Sequence, residues 1–114
     1  MTESSFPRPG QPVRGSQRGA PLMALLDLLG RRWCLGIIWQ VSENGPLSFR
    51  ALEAKCGGVS PSVLNTRLRE LREAGLVRVG DDGYEATKQC LDLFALIEPM
   101  RSWSHSWAKK LPNN

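Results

Sequence analysis

The sequence predicts a mainly α-helical domain with one small β-hairpin, in the order helix, helix, helix, helix, hairpin, helix. Three observations predict this fold class. Apolar side chains recur at three- and four-residue spacing along most of the chain. The pair Ser60-Pro61 is a strong helix-start signal. Two short extended runs then flank Gly80-Asp81-Asp82-Gly83, directly after the helix that Ser60 opens.

The first two helices are predicted from their apolar faces. One face of a helix that begins near Ala20 and ends at Gly30 carries Leu22, Leu25, Leu26 and Leu29. The second helix is expected from Arg32 to Ser42, before the breaker Asn44-Gly45-Pro46. Its apolar set is Trp33, Ile37, Ile38 and Val41.

The third and fourth helices carry clear cap signals. Ser48 can cap the third helix, because its hydroxyl accepts a hydrogen bond from an unpaired helix amide, and Gly57-Gly58 ends it. Ser60 caps the fourth, and Pro61 occupies the first helical position, where a missing N–H costs nothing. The buried stripe of this helix is Leu64, Leu68 and Leu71, and Gly75 is the expected left-handed stop.

The hairpin and the last helix follow at once. The extended runs Leu76–Val79 and Tyr84–Thr87 read as two strands joined by a tight turn. Thr87 can cap a final helical region from Lys88 to about Leu111. We expect that region to be kinked or broken near Pro99.

A length of 114 residues allows one domain, which we place at residues 20–111. Residues 1–19 are rich in Pro, Gly, Ser and Arg and are expected to form a disordered, mobile tail. Three arginines against Glu3 give this tail a charge of +2. It is either a solvated leader or a basic arm that touches phosphate or enters a minor groove.

Membrane and secretory segments are not expected. The uninterrupted apolar stretches are far shorter than the roughly 20 residues of a membrane span. The first 19 residues lack the apolar core of a signal peptide. We therefore expect a cytoplasmic protein with no membrane partner.

The chemistry-bearing residues do not form a catalytic or metal site. The three cysteines, Cys34, Cys56 and Cys90, are widely spaced, and His105 has no partner at ligand spacing. We expect reduced, inert thiols and neither metal nor cofactor. No nucleophile with a nearby base and no phosphate-binding glycine loop is present, so the chain is not expected to be an enzyme.

A helix, a tight turn, a second helix and an immediate hairpin make up a winged helix-turn-helix. On a helical wheel the fourth helix, about 60–74, turns Ser62, Asn65, Thr66 and Arg69 away from its leucine stripe. These side-chain types read base edges and phosphates. Arg67 lies on the core flank, where we expect an internal ion pair. The candidate DNA contacts are Ser60, Ser62, Asn65, Thr66, Arg69, Arg50 and Arg78.

The charge distribution agrees with this orientation. The chain carries a net charge of +4, and residues 45–75 hold five basic and three acidic side chains. Residues 76–98 hold two basic and five acidic ones. A winged helix that binds protein through this acidic hairpin, and does not bind DNA, is therefore an alternative. Retention on heparin and salt-dependent DNA binding would separate the two.

Residues 25–103 resemble the HxlR-type winged helix-turn-helix transcriptional regulators. Residues 29–33 are similar to the family's L-G-G-K-W, residues 45–52 to G-P-x-R-F-x-E-L, and residues 59–71 to I-S-x-x-x-L-x-x-R-L-R-E-L. Residues 73–77 and 84–87 match the family's x-x-G-L-V and Y-x-L-T, and Trp103 fits its late tryptophan. The resemblance implies a bacterial homodimeric repressor or activator that binds double-stranded DNA through the fourth helix, with the hairpin as wing.

Two of the departures from the family pattern bear directly on function. The wing is cut to Gly80-Asp81-Asp82-Gly83, and its two aspartates would be repelled by phosphate. Arg78 at the wing base is the remaining candidate for a wing contact. Some family members sense oxidants through a cysteine ahead of the motif tryptophan, whereas no cysteine precedes Trp33 here.

The dimer interface that the resemblance implies joins the first helix to the C-terminal helix. The segment after Thr87 is apolar nearly all round, so one of its faces needs a partner. The candidate interface residues are Leu22, Leu25, Leu29, Leu93, Phe94, Ile97, Trp103 and Trp107. Trp103 and Trp107 either pack in the core or the interface, which we favour, or line with Trp39 a cavity between subunits for a planar aromatic inducer.

Overall fold

The structure is a computed structural model that describes residues 6–112. These residues form six helices and a two-stranded antiparallel sheet: α1 (Pro21–Leu29), α2 (Cys34–Asn44), α3 (Phe49–Lys55), α4 (Pro61–Glu73), β1 (Val77–Gly80), β2 (Gly83–Ala86), α5 (Lys88–Ile97) and α6 (Met100–Lys110). The predicted fold class and element order are confirmed. The expected break near Pro99 divides the last helical region into α5 and α6.

The predicted helix caps lie where the sequence signals place them. The hydroxyl oxygens of Ser48, Ser60 and Thr87 accept hydrogen bonds from Ala51, Val63 and Cys90 amides, at 3.0, 3.2 and 3.2 Å. Beyond α4, Gly75 has φ +79°, a left-handed conformation that favours glycine. These local signals fix the ends of α3, α4 and α5.

The start of α2 differs from the prediction. The helix begins at Cys34 instead of Arg32 and continues to Asn44. Trp33, at its N-cap, has φ +81°, and the amide of Cys34 donates to the Arg31 carbonyl at 3.1 Å in a tight turn. A left-handed tryptophan costs of order 1–2 kcal/mol. The surrounding packing holds this turn, and the helical periodicity of the sequence gives no sign of it.

The core lies between α2, α3, α4 and the sheet. Ile37, Ile38, Leu52, Leu64 and Leu71 are completely buried. The predicted stripe of α4 is therefore confirmed. In α1 the structure buries Ala24 and Leu28, and the face with Leu22 and Leu26 points away from the core.

The hairpin is tied to the helices through one backbone pairing. Within the hairpin, Val77 pairs with Ala86 and Gly80 with Gly83. The amide and carbonyl of Tyr84 also exchange hydrogen bonds with Leu47, at 2.8 and 2.9 Å. Leu47 precedes α3, so this pairing fixes the wing relative to the helix-turn-helix.

The N-terminal segment is folded over residues 6–19, where the composition predicts a mobile tail; residues 1–5 lie outside the described residues. Phe6 packs against the core, and Pro7 is buried. The amide of Gly10 donates to the Gly19 carbonyl at 2.9 Å, which closes a loop. Gly19 has φ +70°, and a Cβ there would collide with the Gln11 backbone. The segment acquires its shape from this packing against residues distant in sequence, which composition does not encode.

Candidate nucleic-acid interface

Helix α4 presents the outward face that the sequence predicts. Ser60, Ser62, Asn65 and Arg69 are exposed, and Thr66 is half-buried. The Thr66 hydroxyl donates to the Ser62 carbonyl at 3.0 Å, and the Ser60 oxygen is engaged as a cap. Asn65 and Arg69 therefore offer the longest polar side chains on this face for contacts with another molecule.

A basic groove lies between α4 and the hairpin. It is lined by Arg69, Arg72, Glu73, Val77, Arg78 and Val79. Arg78 is 63% exposed, with its Nε 3.9 Å from a carboxylate oxygen of Glu85. The structure thus brings Arg69 and Arg78 together. It also adds Arg72, which our sequence reasoning missed, although a wheel of α4 places it beside Arg69.

Arg50 lies apart from this groove. It is exposed on α3, the first helix of the helix-turn-helix unit. First helices of such units cross the phosphate backbone, so this position suits a phosphate contact better than base readout.

The orientation of α4 is held by a buried carboxylate. Glu70 is 3% exposed and forms ion pairs with Arg31, from the α1–α2 turn, and with Arg67, at 2.7 Å. The Arg67 Nε also donates to the Arg32 carbonyl at 3.0 Å. The predicted internal ion pair of Arg67 is confirmed. The network joins α4 to the turn between α1 and α2.

The three cysteines are free thiols, and burial lowers their reactivity. Burial, with a further contribution from the negative charge of Glu70, raises the pKa of the Cys34 thiol to about 11. Burial also raises the pKa of Cys56 and of Cys90. A raised pKa lowers the fraction of reactive thiolate at neutral pH. In residues 6–112, no group of three His, Cys, Asp or Glu side chains could hold a metal ion.

We expect iodoacetamide at pH 7.4 to leave Cys34 and Cys90 unmodified in the folded protein and to modify half-buried Cys56 more slowly than a free cysteine. Mass spectrometry after timed quenching measures this modification, with urea-unfolded protein as the control.

Mild peroxide should accordingly leave DNA binding unchanged. Reversible loss of binding that Cys34→Ser or Cys56→Ser removes would contradict this expectation.

An apolar groove lies on the side of the molecule formed by α1, α2 and the C-terminal helices. It has a volume of about 930 Å³ and is lined by Leu26, Leu29, Trp39, Ile97, Met100, Trp103 and Trp107, among others. The rings of Trp103 and Trp107 stack at 6.1 Å. Trp103 remains 65% exposed, and none of the eleven residues of α6 is buried.

The candidate interface residues do not all face this groove. Leu22 is 64% exposed on α1, and Leu25 is half-buried; neither lines the groove. Leu93 packs on the core, and Phe94 meets Trp39 edge to face at 4.9 Å. The lining of the groove also includes Leu26 and Met100, which our candidate set does not contain.

The comparisons with known proteins place the chain in a family. The model of the HxlR-like helix-turn-helix family matches residues 28–112. The chain belongs to the HxlR-like helix-turn-helix family. The resemblance read from the sequence is thereby confirmed.

Relatives of the chain agree with this membership. An uncharacterised HTH-type transcriptional regulator of Halalkalibacterium halodurans is 27% identical over 90 residues, 73% of this chain and 80% of that protein. The quinone-bound crystal structure of YodB from B. subtilis is 27% identical, with a TM-score of 0.70, and covers 75% of this chain and 97% of YodB. A possible HxlR family transcriptional factor from Thermoplasma volcanium is 25% identical, with a TM-score of 0.65, over 79% and 86% of the two chains.

Membership in the HxlR-like family establishes the general class. This is a family of transcriptional regulators and not of enzymes, as the sequence predicts. The helices described among residues 6–112 lack the length and apolar content that crossing a membrane requires.

Proposed function

We propose that the chain is a sequence-specific transcriptional regulator that binds double-stranded DNA as a homodimer and inserts α4 into the major groove. The exposed α4 face beside the basic groove carries this proposal. Major-groove readout uses side chains such as Asn and Arg, which bond to adenine and guanine edges. Asn65 and Arg69 occupy this face, and Arg72 and Arg78 lie where phosphates would flank it. Such a regulator would act in the cytoplasm, where bacterial DNA lies.

Selection of bound duplexes from a random pool, with the purified full chain, tests the proposal. A symmetric dimer places two recognition helices about 34 Å apart on one side of the duplex, one helical turn. The selected site should therefore have two related half-sites. This arrangement would distinguish DNA recognition from the alternative of a protein-binding wing.

The second copy is the occupant that we propose for the apolar groove. An isolated helix as short as α6, with eleven residues, is marginal in water because its nucleation is costly. Exposed Trp103 and Trp107 add apolar surface that a partner would cover. In a two-fold dimer both copies use the same patch, so one groove serves the two subunits.

We expect Trp103→Glu to convert the dimer to a monomer, because it places a charge in an apolar contact. Sedimentation equilibrium at micromolar concentration should give twice the 12.7 kDa chain mass for the wild type and 12.7 kDa for the variant. His105→Glu is the matched control, since it adds the same charge on the far side of α6. A wild type that sediments as a stable monomer would contradict the proposed dimer.

A planar aromatic inducer is a second candidate occupant of the same apolar groove. The lining of Trp39, Trp103 and Trp107 favours ring stacking. YodB binds a quinone, which is a planar ring of this kind. An inducer held between the two copies would couple ligand binding to the spacing of the recognition helices.

A further inference from the structure

A second basic site, the arginine pocket, lies on the flank of α4 away from the basic groove. It has a volume of about 390 Å³ and is lined by Arg14, Asp27, Gly30, Arg31, Arg32 and Arg67. These residues come from the N-terminal loop, α1, the α1–α2 turn and α4. The pocket therefore joins four segments of the chain.

The charges of the arginine pocket are unbalanced. Four arginines line it against one aspartate, Asp27. The buried Glu70, which does not itself line the pocket, offsets one further positive charge through its ion pairs with Arg31 and Arg67. Among the residues that the structure describes, the four arginines therefore outnumber the carboxylates beside them, Asp27 and Glu70. Positive groups brought together in this way repel one another until an anion enters.

The arginines are held in place by contacts at the edge of the pocket. The Arg14 amide donates to an Asp27 carboxylate oxygen at 3.1 Å, which fixes the loop against α1. The Arg32 guanidinium lies 4.8 Å from the centroid of the Trp33 ring. Within residues 6–112 neither the Arg14 guanidinium nor the Arg32 guanidinium forms an ion pair. Arg67 is fixed by Glu70 and by the Arg32 carbonyl.

We propose that the arginine pocket is a binding site for a phosphate group. Guanidinium groups present paired N–H donors that match phosphate oxygens, and charge-assisted bonds of this kind are short and strong. A phosphate group has more acceptor oxygens than a carboxylate, so it can accept hydrogen bonds from guanidinium groups on two sides of the pocket at once. The bound group would tie the N-terminal loop, through Arg14, to Arg67 on α4.

The phosphate can come from two sources, a small molecule or the DNA backbone. Calorimetric titration of the DNA-free protein with inorganic phosphate, against chloride at equal ionic strength, tests the first. Saturable one-to-one binding is expected, and Arg14→Gln and Arg32→Gln should each weaken it at least about tenfold. Arg18→Gln, an exposed arginine of the same segment that does not line the pocket, should bind as the wild type does. Circular dichroism checks the fold of each variant. If Arg32→Gln does not fold, the phosphate affinity of Arg14→Gln alone decides the outcome.

The second source, the DNA backbone, is tested by titrating the same variants with random duplex at several salt concentrations. This part of the experiment rests on the proposed function. If the backbone supplies the phosphate, Arg14→Gln and Arg32→Gln should each reduce the salt slope by about one, and Arg18→Gln should not. Either pattern supports the phosphate site and identifies its source. The proposal is overturned if these two variants change neither phosphate binding nor the salt slope. If the wild type binds no duplex, the proposed function fails, and the DNA-free titration decides this site by itself.

Discussion

Replacing Glu70 with alanine is expected to lower the free energy of unfolding by roughly 3 kcal/mol, the lower end of the range for breaking a buried ion pair. The substitution removes the shared partner of Arg31 and Arg67, and it leaves two like charges together beside the core. Both arginine side chains are partly exposed, at 32% and 23%, so each can recover some hydration. This partial exposure places the expected loss at the lower end.

Urea unfolding of the wild type, Glu70→Ala and Glu73→Ala measures this effect. Glu73 is an exposed carboxylate on the same helix, and its removal should change stability by less than about 1 kcal/mol. Arg67→Ala should also lower stability, because Arg67 bonds to both Glu70 and the Arg32 carbonyl. Equal stability of Glu70→Ala and Glu73→Ala would contradict the role given to the buried network.

Replacing Arg69 with alanine is expected to weaken binding to the selected duplex by about fivefold to 150-fold, or roughly 1–3 kcal/mol. Arg69 is exposed on the outward face of α4 and lines the basic groove. A bidentate contact of an arginine with guanine reads one base pair, so the loss should fall on the selected duplex. Preference at one base pair in each half-site should relax.

Arg50→Ala and Arg18→Ala are the comparisons for this prediction. Arg50, on α3, should position the protein on phosphates, so its removal should weaken all duplexes about equally and flatten the salt dependence. Arg18→Ala removes the same charge from an exposed residue that does not line the basic groove, and it should leave the preference between duplexes unchanged. If Arg69→Ala bound selected and random duplexes as the wild type does, the assignment of α4 as recognition helix would fail.

The parts of the fold that follow local rules could be predicted from the sequence. Ser48, Ser60 and Thr87 cap helices through bonds to amides three residues away, so short segments contain the whole signal. The leucine stripe of α4 is equally local, because Leu64, Leu68 and Leu71 share one face whatever they pack against.

The parts that depend on distant contacts could not be predicted in this way. The burial of Pro7 and the left-handed Trp33 depend on packing that links segments far apart in the chain. The wheel placed Arg67 on the core flank of α4, but the pairing of Glu70 with Arg31 crosses 39 residues. A helical wheel places Arg72 beside Arg69, but the groove that both arginines line depends on the position of β1 beside α4.

The candidate interface residues show the same limit. Periodicity identifies two apolar faces on a helix such as α5, but it does not say which face the chain covers by itself. The structure packs Leu93 inward and leaves Leu96 exposed. Our candidate set contains Leu93 and does not contain Leu96, although both belong to the apolar segment after Thr87.

Selection of bound duplexes, followed by titration of the wild type on the selected and on random duplex, tests whether the protein reads DNA sequence as a two-fold dimer. We expect an inverted repeat with half-site centres about 10 base pairs apart. The selected duplex should bind at least about a thousandfold more tightly than random duplex, and both affinities should fall steeply with salt. A selected pool without a common sequence, or equal affinity for the two duplexes, would contradict it.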